Sequence, residues 1–498
     1  MVTGPKPRRG ASERPAPPGM TPEVKRIALV IVLGSVMSVL DTTIVNVALA
    51  DLSRDLHTGL NDIQWVVSAY LLALAAVIPL GGWAVRRYSA YRVYLWALLL
   101  FTLGSALCAA ASSAPELVAF RALQGAGGGL VLPTGMTILI RATDRARIPH
   151  VMSAIGTPMV LAPVFGPTLG GFLLQNVSWH AIFMINVPIG VATGLVAIRL
   201  LPRDEPARGG AGRLDWVGLL LAGTGTVGVT YGLSQSATAG SIASLAVLLP
   251  VLTGCALLGV FVLHAQRVPR PLLDLKLYGN PAYTAATVVL FCLGAALFGA
   301  MILLPLYFQD GRHLDAMSTG LLLIPQGAGA ALGMNRSAVA TERFGAGLTS
   351  LLGVGIVALC TCPFLFVGTH TSYLLISAAM ATRGVGVGLA IMPAMSAAFS
   401  ALEKDQIEDA SPQLNVIQRI GGSLGTALVA VVLQGNLTRA GSRARSMATA
   451  FDRTYLWVIL ISMVAVLPAF ALWRVERRVG GAGRSSEQRE QAMLESLA

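Results

Sequence analysis

From residue 27 to residue 474 the chain alternates long apolar runs with short polar breaks. A helix needs about 20 mostly apolar residues to cross a bilayer. Fourteen runs meet that length, near 27–50, 63–84, 92–112, 115–140, 148–174, 179–201, 214–234, 243–265, 282–308, 317–338, 346–367, 373–399, 410–435 and 454–474. The runs are unbroken and do not alternate at every second residue, so they predict helices and not barrel strands. The expected fold class is an all-α membrane protein with fourteen transmembrane helices.

An even number of spans puts both ends of the chain on one side. With the N-terminus inside, inner tails and loops hold 26 of the 36 Lys and Arg, and outer loops hold six. Basic residues favour the cytoplasmic side, so both termini are expected in the cytoplasm. The Arg-rich outer segment 436–455 is an exception that the pattern leaves unexplained, as is Arg336 near the inner end of span 10. Residues 1–24 are rich in Pro and Arg and read as a disordered tail. They do not read as a signal peptide, because the run that follows is too long and contains Asp41.

Three patterns recur late in the chain. GAGGGL at 125–130 returns as GVGVGL at 384–389, GPTLGG at 166–171 as GGSLGT at 421–426, and VRRYSA at 85–90 as TERFGA at 341–346. The offsets are 259, 255 and 256 residues. Spans 1–6 and 9–14 therefore read as two copies of a six-helix unit, with spans 7 and 8 inserted between them. Six-helix halves with a site at their interface are transporter architecture. The expected division is a tail at 1–26, a six-helix bundle at 27–201, an inserted pair with linkers at 202–281, a second bundle at 282–474 and a tail at 475–498.

Composition narrows the function. Only 12% of residues are charged, against about 25% in a soluble protein. The net charge of +12 does not imply a nucleic-acid partner, since the basic residues sit in short loops between apolar spans. All five cysteines fall in spans and predict free thiols. The six histidines show no metal-ligand spacing, and no phosphate loop of the form GxxxxGK[ST] is present. No nucleophile or catalytic domain is visible, so neither an enzyme nor a cofactor is expected. The expected partners are small molecules, protons and the bilayer, for a monomer.

Four motifs carry candidate chemistry. LDTTIVNVALA, 40–50, places Asp41 inside span 1. A charge at a helix centre costs about 2.5–3.5 kcal/mol on insertion scales, so it faces a cavity or a partner. Asp41 is the candidate for proton coupling, binding and releasing protons as a cavity between the halves opens to either side; the alternative is a structural hydrogen-bond acceptor within the bundle. Thr42 and Asn46 share a helix face and are candidates to touch cargo. LVAFRALQGAGGG, 117–129, places Arg121 and Gln124 on one face of span 4. Arg121 is the expected proton-relay partner and Gln124 a candidate cavity residue. In GTPMVLAPVFGPTLGG, 156–171, Gly166 and Gly170 have the spacing for close helix contact, and Pro163 and Pro167 kink the span. That span is either a pivot or a tightly packed helix without mobility. The loop GGWAVRRYSAYR, 81–92, and its copy ATERFGAG, 340–347, are candidates for a latch between cytoplasmic helix ends.

These motifs resemble the major facilitator superfamily, and within it the fourteen-helix drug:proton antiporters. LDTTIVNVALA, RALQGAGGG and GPTLGG are similar to that group's motifs in spans 1, 4 and 5. FMINVPIG at 183–190, LDWVGLLL at 214–221 and LPLYFQ at 304–309 resemble signatures of span 6, the inserted pair and span 9. The resemblance implies that Asp41 is a protonation residue and that Arg121 belongs to the relay. It implies an antiporter hinge at Gly166, Pro167, Gly170 and Gly171. It implies a bacterial plasma-membrane exporter of lipophilic drugs or antibiotics, driven by proton entry. The chain departs from the family pattern at Arg86 and Ser89, where an acid and a glycine are usual. The expected latch is therefore Glu342, Arg343 and Gly345 of the second copy. Span 10 lacks an acid, which favours neutral or monocationic cargo. A dedicated exporter of one antibiotic, metabolite or lipid is the alternative, ahead of a proton-symporting importer.

Overall fold

The computed structural model describes residues 20–205, 212–239, 241, 243–269, 271–314, 316–368, 371–440 and 444–496. Residues 1–19 of the expected N-terminal tail, and 441–443 of the Arg-rich segment, lie outside the described residues. Among the described residues there is no strand.

The first half comprises α1 (Pro22–Asp55), α2 (Leu60–Ile63), α3 (Trp65–Val77), α4 (Leu80–Tyr88) and α5 (Ala90–Ala109). It continues with α6 (Ala114–Arg141), α7 (Ile148–Asn176), α8 (Trp179–Met184) and α9 (Asn186–Leu200). The inserted pair is α10 (Trp216–Ala239) and α11 (Leu245–Arg267). The second half comprises α12 (Pro281–Leu306), α13 (Ala316–Phe344), α14 (Ala346–Thr361), α15 (Tyr373–Ser400), α16 (Ile407–Ala440) and α17 (Ala444–Ser496). Two six-helix bundles with two inserted helices are the observed architecture.

Among the described residues, eleven helices are long and apolar enough to cross a membrane, and up to thirteen if two bent pairs each count as one span. The first bent pair is α3 with α4, which meet at 57° around Pro79. The second lies within α7, which bends by 46° between Pro163 and Thr168. Each break falls at a proline, which cannot donate the backbone bond that keeps a helix straight. α13 occupies the place of the expected span 317–338 and carries Gln326, Asn335 and Arg336 among its apolar residues. Arg336 is exposed there.

Helix ends are set by local chemistry. Thr21 caps α1 by accepting from the Val24 amide, with Pro22 in the first turn. Asn280 caps α12 through the amides of Ala282 and Tyr283. Asp215 gathers the inserted pair by accepting from the Gly218 amide at 2.8 Å and the Leu272 amide at 3.3 Å, with His264 Nε2 of α11 at 2.8 Å.

The two halves repeat each other in detail. The glycines of α6 press on α3: a Cβ on Gly125 or Gly129 would overlap the carbonyl of Tyr70 or Leu74. In the second half, Gly384 and Gly388 of α15 approach the α13 backbone equally closely, at Gln326 and Met334. Gly166 and Gly170 of α7 lie on Thr43 and Ile44 of α1, as Gly421 and Gly425 of α16 lie on Phe291 and Ala295 of α12. Ser89 and Gly345, 256 residues apart, share the conformation φ 85, ψ 151 and φ 84, ψ 159. That left-handed region is easy for glycine and strained for serine. α10 packs on α3, where Trp65 stacks on Tyr231, and on α16, where Val229 and Leu233 meet Ala427. The inserted pair thus touches both halves.

Candidate functional site

The centre of the first half is a polar cluster within apolar walls. Asp41 comes from α1, Arg121 and Gln124 from α6, Ser105 from α5 and Asn186 from α9. Arg121 Nη1 donates to Asp41 Oδ2 at 2.5 Å, and both side chains are fully buried. Asp41 Oδ1 accepts from Gln124 Nε2 and Asn186 Nδ2, each at 2.9 Å. Three donors thus converge on one carboxyl group. The same two amide groups also donate to Ser105 Oγ, at 3.0 and 3.1 Å. Ser105 Oγ in turn donates a hydrogen bond to the Phe183 carbonyl at 2.9 Å.

Arg121 is held from every side but one. Its Nε donates to the Val66 carbonyl at 3.0 Å, and Nη1 also reaches Gln124 Oε1 at 2.8 Å. Its guanidinium lies 4.1 Å from the Tyr70 ring centre, within cation–π range. The Tyr70 hydroxyl is 3.1 Å from Ser38 Oγ. Arg121 Nη2 is buried without a hydrogen-bond partner.

Of the expected site residues, the structure brings Asp41, Arg121 and Gln124 together. It corrects two expectations about them. Asp41 opens to no space between the halves: it is buried, and its hydrogen-bond partners all belong to the first half. Gln124 lines no cavity: it is fully buried and spent on Asp41, Ser105 and Arg121. Ser38, Tyr70, Ser105 and Asn186 belong to the network and were not among the expected site residues. An Asn inside the apolar FMINVPIG run was the signal available.

Thr42 and Asn46 lie elsewhere on α1. Ala28, Ile31, Ser35, Ser38, Thr42 and Asn46 form one stripe at helical spacing. Its first four members are buried, Thr42 is partly open and Asn46 is exposed. This side of α1 is closed towards the end of the bundle that holds both termini and open towards the other end.

The closed end is bolted across the halves. Arg86 of α4 pairs with Asp409, and Arg141 of α6 with Glu408, both acids in the first turn of α16. Arg145 donates to the Leu402 carbonyl at 2.7 Å, Ser411 Oγ to the Pro133 carbonyl at 3.0 Å, and Ser153 Oγ to the Met334 carbonyl. Of the expected latch, Glu342 faces His150 of α7 at 3.4 Å. Arg343 is exposed and joins no ion pair among the described residues. Gly345 supplies the positive φ that turns α13 into α14, and Glu476 of α17 accepts from the Ala346 and Gly347 amides just beyond it.

The expected hinge glycines divide. A Cβ on Gly166 would lie 2.0 Å from Thr43 Oγ1, and one on Gly170 3.2 Å from the Ile44 carbonyl. A Cβ on Gly171 would meet nothing within 4 Å. Pro167 falls at the bend of α7.

Among the described residues, no cluster of His, Cys, Asp and Glu has the form of a metal site. The major facilitator superfamily profile matches residues 31–426. The chain belongs to that superfamily. As a facilitator-superfamily protein it is similar to a Mycobacterium tuberculosis protein named multidrug resistance protein B homolog, 38% identical over 431 residues, which are 86% of this chain and 79% of that one. A Streptomyces coelicolor methylenomycin A resistance protein is 31% identical over 409 residues, 80% of this chain and 84% of that one. Among solved structures, the human organic anion transporter MFSD10 aligns with a TM-score of 0.60 at 14% identity, over 89% of this chain and 100% of that one. That likeness shows a shared fold. The protein is a multi-pass membrane transporter of this superfamily, with multidrug and antibiotic efflux proteins among its relatives.

Proposed function

We propose that the protein exports lipophilic drugs or antibiotics across the bacterial plasma membrane by proton antiport, with both termini in the cytoplasm. The division at 27–201, 202–281 and 282–474 then marks two moving bodies and the inserted pair that touches both. The single observation that carries this reading is the Asp41–Arg121 pair, a carboxylate and a guanidinium sealed together inside the first half. A buried pair of this kind is poor material for stability alone, since well-packed apolar residues do as well or better.

In the state described here the bolted end is the cytoplasmic one, so the chamber faces outward. The pair is shut in that state. Protonating Asp41 removes the partner of Arg121 and loosens α1 from α6, which couples the charge of the pair to the packing of the halves. The bend of α7 and its close seat on Thr43 make it the element that pivots. One proton entering across 100 mV supplies about 2.3 kcal/mol, so one or two protons sustain export without ATP.

The test is pH-driven transport by purified protein in liposomes with a panel of lipophilic compounds. Export of several competing compounds against an inward proton gradient supports the proposal. Absence of proton-coupled flux, or flux in the same direction as the proton, removes it. A dedicated exporter of one antibiotic is the second reading, favoured by the similarity to a methylenomycin A resistance protein. A single tight cargo without competition would select it.

A further inference from the structure

We propose that Arg419 of α16 selects the cargo, by binding an acidic group on it, so that the transported molecules are lipophilic anions. The assignment rests on the export reading above and adds the charge of the cargo. It starts from the depth of the residue. Arg419 lies twelve residues after Ile407, the start of α16, about 18 Å along the axis at 1.5 Å per residue. That is the middle of a hydrocarbon layer about 30 Å thick.

Its direction follows from its neighbours. Pro412 is seven residues earlier, two helical turns back on the same face, and packs on Gly81 of α4. Arg419 therefore faces the first half. Residues 410–416 are buried without a break, whereas 417–420 are all partly accessible. The turn of α16 that carries Arg419 is thus less closely covered than the bolted turn before it.

Charge balance supplies the ligand. The charged side chains at mid-depth are Asp41, Arg121, Arg383 and Arg419. Asp41 is committed to Arg121. Among the described residues no carboxylate lies within ion-pair distance of Arg383 or Arg419. Arg383 is sealed within the second half, so Arg419 is the cation that a cargo can reach. A guanidinium does not give up its proton, and its fork matches a carboxylate, sulfonate or phosphate in two parallel bonds. An unpaired charge at this depth is costly, and an anionic cargo removes that cost. The expectation of neutral or monocationic cargo counted only acids in span 10; an accessible cation on α16 argues for the opposite charge.

The experiment compares three permanently matched probes, a naphthalene sulfonate, its uncharged sulfonamide and its trimethylammonium counterpart. Equilibrium binding to purified protein in detergent, and pH-driven flux in liposomes, are measured for each. The wild type is expected to prefer the sulfonate over the ammonium by about tenfold or more. Arg419→Gln should abolish that preference while sulfonamide binding stays within about twofold, and Arg419→Lys should keep part of it. A wild-type preference for the ammonium, or an Arg419→Gln protein that still favours the sulfonate, overturns the assignment. Retained charge preference in binding with no proton-driven flux overturns the antiport reading and leaves Arg419 in place.

Discussion

Two arginines mark the centres of the two halves, and they live differently. Arg121 in α6 has Asp41, Gln124 and the Val66 carbonyl around it. Arg383 in α15 has the Thr361 hydroxyl at 3.1 Å and the Ala296 carbonyl at 3.4 Å, and its Nη1 is buried without a partner. The helices around them pack alike, through the same glycine contacts. Position 297, 256 residues after Asp41, is a leucine. Among the described residues, the duplicated scaffold therefore pairs its central arginine with an acid in the first half and not in the second. Under the antiport proposed above, the first half would carry the charge that changes and the second one that does not.

Removing the acid from the first half is the severest way to erase that difference. Asp41→Asn keeps the shape and the acceptor oxygen while fixing the charge. pH-driven efflux is expected to fall to the leak rate in liposomes, with the protein still folded in detergent. Undiminished efflux would detach Asp41 from the mechanism. Next in size is the contrast in stability. Arg121→Leu leaves a buried carboxylate unpaired and should cost about 3–5 kcal/mol. Arg383→Leu removes a guanidinium that has no acid and should be neutral or stabilising. Thermal unfolding of both variants in detergent decides it. Equal destabilisation would mean that Arg383 has a counter-charge of its own.

The hydropathy runs and the repeat offsets made the architecture legible, because length and periodicity in a bilayer leave few folds. Asp41 and Arg121 were legible for the same reason, being charges where charge is costly. The sealing of Asp41 was not. It depends on Asn186 and Ser105, uncharged residues that arrive from α9 and α5, and no spacing in the sequence announces that they meet. The expected latch was incomplete for a related reason: Glu342 does face His150 across the halves, but the contacts of α16 with α4 and α6 were not legible. Reading VRRYSA against the family pattern marked Arg86 as a missing acid. The structure supplies the acid from the opposite side, as Asp409 in the first turn of α16.

That exchange gives a third prediction, smaller because these pairs keep some contact with solvent. Arg86→Asp sets two carboxylates against each other and should shift the protein towards opening at the bolted end. A cysteine placed at Ser411 should then react several-fold faster with a polar thiol reagent. Arg86→Asp combined with Asp409→Arg should restore the wild-type rate. Failure of the swap to restore it would show that the Arg141–Glu408 pair and the neighbouring backbone bonds hold the end without Arg86.

The smallest effect separates two glycines five residues apart in one motif. Gly166 faces Thr43 so closely that an added Cβ would sit 2.0 Å from Oγ1 and 2.8 Å from the threonine Cβ. The hydroxyl can rotate, but the Cβ is fixed to the α1 backbone, so α1 and α7 must separate. Overpacking of this kind costs about 1–3 kcal/mol. Gly171 has open space at the same distance, and Gly171→Ala should change stability by no more than about 0.5 kcal/mol. If the motif works as a pivot, Gly166→Ala should also slow transport, since it changes the contact of the bent helix with α1, the helix that carries Asp41. If it is only close packing, Gly166→Ala should lower the unfolding temperature and leave turnover of the folded fraction unchanged. Measuring turnover per folded molecule, with Gly171→Ala as the reference, distinguishes a moving joint from a tight one.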